Sequence, residues 1–209
     1  LGNDKISNFL ERWLIDTSIE LDVSEKLHLS AKYYRVSDIK YFEEIARTNT
    51  DAKTLKSHLK LSFNDLSKHL KTHFLTEDEQ VVNAGTEVYT RLAEGSISKT
   101  FNADSKIPIQ VDVVSTNFAH DTPGKESGIR THANLGVTRV LSSNFPLITT
   151  RANVGSTHYR LDNNNNINRT IAGAGFDLAF PFISQGNLFG SEVNHKLTPQ
   201  ISSNYRAKE

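Results

Sequence analysis

Nine basic residues share one parity of three neighbouring segments, and they set the chemistry to look for. Lys26, His28 and Lys32 lie on one side of the first segment. Lys56, His58 and Lys60 do so in the second, and His69, Lys71 and His73 in the third. If the segments are adjacent strands, these side chains form a cationic patch suited to an anionic, phosphorylated ligand. An ordinary solvated wall gives the same pattern, with its charge balanced by carboxylates from other strands or from a plug outside the chain. A metal site fits poorly. His69 and His73 are four residues apart, about 13 Å along a strand. His58 and His69 could meet across strands, but no carboxylate accompanies them there.

Signatures of covalent chemistry are weak. Gly173-Ala174-Gly175 sits in an alternating stretch with no helix pattern after it, so it is not a dinucleotide loop. Small residues there permit close packing. Ser156 and His158 share a parity without an orienting acid, and no GxSxG, HExxH or phosphate-loop motif occurs. The expectation is a protein that is not an enzyme and uses no cofactor and no metal.

The elements that must position the basic residues are strands. Trp13, Ile15, Thr17, Ile19 and Leu21 alternate with Leu14, Asp16, Ser18 and Glu20. Leu27, Leu29, Ala31 and Tyr33 then oppose Lys26, His28, Ser30 and Lys32, and Leu55, Leu59, Leu61 and Phe63 oppose Lys56, His58, Lys60 and Ser62. Successive side chains of a strand point to opposite faces, so each segment has one apolar and one polar side. Similar alternation follows around 107–113, 133–138, 148–154 and 172–180, and a last run covers Leu188 to Tyr205. The spacing predicts about ten strands, most of them longer than the roughly five or six residues of soluble strands.

Tight connections at Asp22–Glu25, Asn64-Asp65, Asn102–Lys106, Ser142–Phe145 and Phe182–Gly186 alternate with longer ones at Val36–Lys53, Thr76–Thr90, His120–Gly128 and Leu161–Asn168. Short turns at one rim and long loops at the other mark an up-and-down outer-membrane barrel. Aromatic residues near strand ends fit an interfacial girdle: Trp13, Tyr33, Phe63, Phe74, Phe101, Tyr159, Phe180 and Tyr205.

Composition agrees. The 209 residues carry 24 Lys and Arg against 24 Asp and Glu, which removes the usual electrostatic case for nucleic acid. No run approaches the roughly 18 apolar residues of a transmembrane helix, whereas a barrel crosses lipid on alternating strands and stays polar on average, as the mean hydropathy of -0.44 is. Cysteine and methionine are both absent. The chain starts at Leu1 with no leader pattern, so it reads as processed or partial, with residues 1–11 ending a preceding loop and 12–209 forming one barrel segment.

Particular residues then point to a family. Arg12-Trp13-Leu14, Tyr33-Tyr34-Arg35-Val36-Ser37-Asp38 and Tyr41-Phe42 resemble a stretch in the barrel of the lipopolysaccharide-assembly LptD family. Arg91-Leu92, Arg130-x-His132, Thr157-His158-Tyr159 and Leu197-Thr198-Pro199-Gln200 are similar to later family signals in the same order, although Ala93 stands where proline is frequent and Thr198 where glutamate is. The resemblance implies an all-β, antiparallel, up-and-down transmembrane β-barrel in the bacterial outer membrane, these strands being part of a barrel of about 26. It also implies insertion of lipopolysaccharide into the outer leaflet, contact with outer-membrane lipid, an LptE-type lipoprotein plug and a periplasmic Lpt bridge. The jelly roll, the lateral-gate strands and the paired cysteines of that family are not in this sequence. The rival readings are a porin-like channel and a soluble β-sandwich that binds carbohydrate or acts as an adhesin.

Overall fold

Alternation of apolar and polar residues becomes a sheet with two unlike faces. In the computed structural model, residues 12–38, 41–44, 54–82, 88–120, 122, 124–142, 145–163, 165–188 and 191–207 are described. The strands are β1 (Leu14–Ser24), β2 (Leu27–Val36), β3 (Thr54–Asp65), β4 (Leu70–Val81), β5 (Thr90–Phe101) and β6 (Ile109–Ala119), then β7 (Gly128–Ser142), β8 (Leu147–Leu161), β9 (Asn166–Ala179), β10 (Phe182–Leu188), β11 (Ser191–Leu197) and β12 (Gln200–Arg206). A one-turn helix α1 (Tyr41–Glu44) lies in the connection after β2. Ten strands pair in the order β1 to β9 and then β12, all antiparallel, while β10 and β11 form a separate pair. Among the described residues the large sheet is open, with β1 paired only to β2 and β12 only to β9.

The register keeps parity from strand to strand. Leu21, Leu29, Leu61 and Phe74 lie opposite one another in series on one face. Ser30, Lys60, Leu75, Glu94, Thr116, Arg130 and Tyr159 form a row on the other. Among the described residues no second layer covers either face, since the substantial contacts run between paired strands. The apolar face is therefore bare: Ile19 is 59% exposed, Phe74 50% and Leu135 44%. Only Val36, Leu55, Leu75 and Val82 are buried hydrophobics among the described residues, far too few for a sandwich core. A bare, contiguous apolar surface of this extent requires a partner or lipid.

Several boundaries depart from the sequence reading. Phe182–Gly186 is not a tight turn but most of β10, and Leu188–Tyr205 is two strands rather than one. The cause is a pair of prolines at the same level. Pro181 and Pro199 carry no ladder donor, so pairing between β9 and β12 stops there. Phe180 N–H still reaches the Pro199 carbonyl at 2.9 Å, and pairing resumes in register at Phe182 and Leu197. β9–β10 and β11–β12 thus form one long hairpin whose distal half leaves the sheet. The alternation of short and long connections holds through β8 and then breaks: β8 and β9 are joined only by 162–165, while the β9–β12 connection, on the turn rim, runs through the extra hairpin. Residues 1–11 lie outside the described residues.

The turn rim is held by side chains. Asp65, 2% exposed, accepts hydrogen bonds from the Ser67 hydroxyl at 2.6 Å, the Lys26 ammonium at 2.9 Å and the Lys68 N–H at 3.2 Å. It caps the turn Leu66–Lys68, and His69 closes that turn in the left-handed region at φ 48°. These donors, the Ser67 hydroxyl first and Lys26 next, hold the Asp65 carboxyl below the ordinary aspartate range. Because the folded state releases this proton more readily than the unfolded chain, the stabilisation is complete at neutral pH and is lost as pH falls below about 4. Asp65→Asn is expected to lower the urea midpoint at pH 7 and to flatten the acid limb of the stability curve. An unaltered acid limb would rule out this role.

Candidate functional site

Period-two spacing and register together place the basic residues. Lys32 lies opposite His58, and His58 opposite Glu77. His28 lies opposite Ser62, Ser62 opposite His73, and His73 opposite Ser96. Lys56, Lys60 and Lys71 fall on the same polar face. His69 does not belong to a strand; it sits in the turn before β4, and His58 and His69 are not cross-strand partners.

Most of these charges are matched within the sheet itself. Lys26 meets Asp65 at 2.9 Å, and Lys56 meets Glu79 at 2.8 Å. His28 lies between Glu20 at 2.8 Å and Asp22 at 2.7 Å. Lys32 approaches Asp16 at 3.7 Å and lies 4.8 Å from the Tyr34 ring centroid. His58 shares a 3.1 Å hydrogen bond with the Ser30 hydroxyl, while His73 contacts Ser96 at 2.6 Å and Glu94 at 3.2 Å. Among the described residues, Lys60 and Lys71 have no carboxylate within 4.0 Å and are the strand lysines of the group that keep an uncompensated charge. The polar face is therefore a lattice of ion pairs with a few open cations. The carboxylates that balance Lys26, Lys32 and Lys56 come from this chain.

Several residues of this wall were hidden in the sequence. The spacing predicts a loop from Thr76 that would hold Glu77 and Glu79; β4 instead runs on to Val81, which puts both on the parity of Lys71 and His73. Extending the alternation past Thr76 was the signal that could have found them. Glu94 is 6% exposed and accepts from Thr116 at 2.8 Å, with His73 and Arg91 also in contact. Arg91 holds Glu77 through two hydrogen bonds of 2.8 and 2.7 Å. Further along the wall, Arg151 reaches Asp177 at 2.8 Å by crossing Gly175, where an added Cβ would lie 3.2 Å from the Arg151 Nε and 2.5 Å from the Asn204 Oδ1. That crossing accounts for a small residue in the Gly173-Ala174-Gly175 stretch. Among the described residues, a cavity of about 420 Å³ is lined mainly from the apolar face, by Ile19, Ala31, Tyr33 and Leu59, and one of about 520 Å³ lies on the polar face near the loop rim, between Lys56 and Arg130.

The opposite face carries its own order. Phe145 lies 5.7 Å from Phe180 and 5.4 Å from Phe182, centroid to centroid, at the turn rim. Lys99 stands 5.4 Å from the Phe101 ring on the same rim. Tyr159 departs from the expected girdle, because its row places it on the polar face beside Arg130. Ser156 and His158 fall on the apolar parity, and His158 bonds Asn168.

A family model described as LptD, LPS transport system D, matches residues 11–209. The chain belongs to the LptD family. The match covers all but the first ten residues, so the entire described sheet lies within it. Members of the LptD family are outer-membrane components of lipopolysaccharide transport. Membership of that family, with an antiparallel sheet that is apolar on one face and ion-paired on the other, supports an outer-membrane barrel. No curated protein matches the chain.

Proposed function

We propose that this chain forms part of the wall of the outer-membrane translocon that inserts lipopolysaccharide into the outer leaflet. The observation that carries the reading is the family match over a sheet whose two faces differ so sharply in polarity. The open edges of β1 and β12 are the places where further strands complete a larger barrel of about 26. The turn rim faces the periplasm and the loop rim the cell exterior. An LptE-type lipoprotein plugs the lumen, and a periplasmic Lpt bridge delivers the lipid. The chain makes and breaks no covalent bond and uses no cofactor. Its work is to offer the phosphorylated head a wet, charged wall while acyl chains travel in lipid.

On this wall the open cations Lys60 and Lys71 meet phosphate groups, because an ion pair must first be broken at Lys26, Lys32 or Lys56. His28, His58 and His73 add hydrogen-bonding capacity along the same track, and His69 marks its periplasmic end. The experiment is photo-crosslinking in cells that carry the full-length protein. A crosslinker at Lys60 is expected to capture lipopolysaccharide, and one at Leu59, a single residue away on the other face, to capture phospholipid. Absence of lipopolysaccharide at Lys60 together with ion conductance through the purified protein would favour a porin-like channel and overturn the reading.

A further inference from the structure

The cavity near the loop rim differs from the rest of the wall. Its volume of about 520 Å³ lies within the range of small-molecule sites. It contains Lys56, Arg91, Arg130 and three carboxylates, so its charge alone does not select a ligand. The pairing does. Glu77 is taken by Arg91, Glu79 by Lys56, and Glu126 accepts a 2.8 Å hydrogen bond from the Asn163 amide. The Arg130 side chain has no ion pair or hydrogen bond among the described residues, although it sits opposite Thr116 on one side and Tyr159 on the other. The cavity thus presents one open guanidinium fork, the group best shaped to take two oxygens of a phosphate or carboxylate.

The surroundings of Arg130 are aromatic. Tyr159 adjoins it across the strand pair, and Tyr89 packs edge-on against Phe118 at 5.8 Å and against His120 at 4.5 Å. Those edge contacts hold the Tyr89 ring. Neither the Tyr89 nor the Tyr159 hydroxyl has a partner among the described residues. A phenol ring with a free hydroxyl offers an apolar surface for the C–H face of a sugar and a hydrogen bond for its hydroxyls. Leu161 and Phe118 line the cavity with apolar surface.

We propose that this cavity is a binding subsite for a phosphorylated hexose, with Arg130 gripping the phosphate and Tyr89 and Tyr159 holding the ring. The proposal deepens the transport reading and rests on it only for the route by which such a group arrives. The subsite lies at the loop rim, beyond the open lysines, so it takes the head after the lysines have passed it along.

The test is equilibrium binding to the full-length protein in detergent, read by saturation-transfer NMR and calorimetry, with glucosamine 1-phosphate, glucosamine and inorganic phosphate as probes. Glucosamine 1-phosphate is expected to bind at least tenfold more tightly than either other probe. Arg130→Gln should weaken it at least tenfold, Arg130→Lys by less, and Tyr159→Leu severalfold, while Arg139→Gln on the other face leaves it unchanged. Heat-modifiable migration on gels confirms that each variant is folded. Equal affinity for inorganic phosphate, or an Arg130→Gln variant that binds as the parent does, would overturn the proposal. Binding needs no transport, so a failed crosslink at Lys60 with intact sugar-phosphate binding would count against the transport reading alone.

Discussion

Leu59→Lys is expected to destabilise the inserted protein by about 2–4 kcal/mol, the cost of a lysine facing hydrocarbon near mid-membrane. Leu59 is 44% exposed on the bare face, opposite Ala31 and Thr76, near the middle of β3 and away from either rim. On the proposed barrel wall a lysine there is far from water, and its stem is too short to carry the ammonium to a headgroup without bending the strand. His58→Lys, one residue earlier, is expected to change stability by less than about 1 kcal/mol. That side chain already stands between Lys32 and Glu77 on the wet face, and a lysine there can pair with Glu77. The comparison is made by urea unfolding from vesicles. Equal losses at both positions would reverse the assignment of faces on which the rest depends.

Arg91→Ala is expected to cost about 1–3 kcal/mol. Removing one partner of a fully buried pair costs about 3–5 kcal/mol. The Arg91 side chain is 41% exposed, so water screens part of its charge and the expectation is lowered accordingly. The loss comes from the carboxylates left behind. Glu77 and Glu94, with side chains 11% and 8% exposed, would share the site with His73 and Thr116 left to offset them among the described residues. Arg91→Lys should recover less than half of the loss, since one ammonium cannot reproduce the two parallel bonds to Glu77. Adding Glu94→Gln to Arg91→Ala should recover part of it by removing a stranded charge, which makes the pair non-additive. A loss no larger than that of the exposed Arg139→Ala would show that the network contributes nothing to folding.

The sequence was legible where a local rule operates. Period two put Leu29, Leu61 and Phe74 on one side and His28, Ser62 and His73 on the other, and the register agrees. The order of motifs from Arg12 to Tyr205 indicated the family that the match over 11–209 establishes. Three places interrupt the rule. Glu77 and Glu79 looked like loop because a run of acids resembles a solvated connection, yet β4 continues through them. Phe182–Gly186 looked like a turn because Ser, Gln and Gly follow a proline, yet the strand resumes after it. His69 looked like strand because nothing in its spacing betrays a left-handed turn residue.

Parity belongs to a single strand, so residue spacing alone settles which side chains share a face and requires one face to meet something apolar. It did not determine who meets whom. Sliding one strand past its neighbour by two residues keeps every side chain on its face and changes every cross-strand partner. The pairing of Lys56 with Glu79 and Arg91 with Glu77, and the open state of Lys60 and Arg130, follow from one register among several of equal parity. Only the tertiary structure chose that register, through the capped turn at Asp65, the bulge between Arg91 and Ala93 and the matched break at Pro181 and Pro199, which act between residues far apart in the chain.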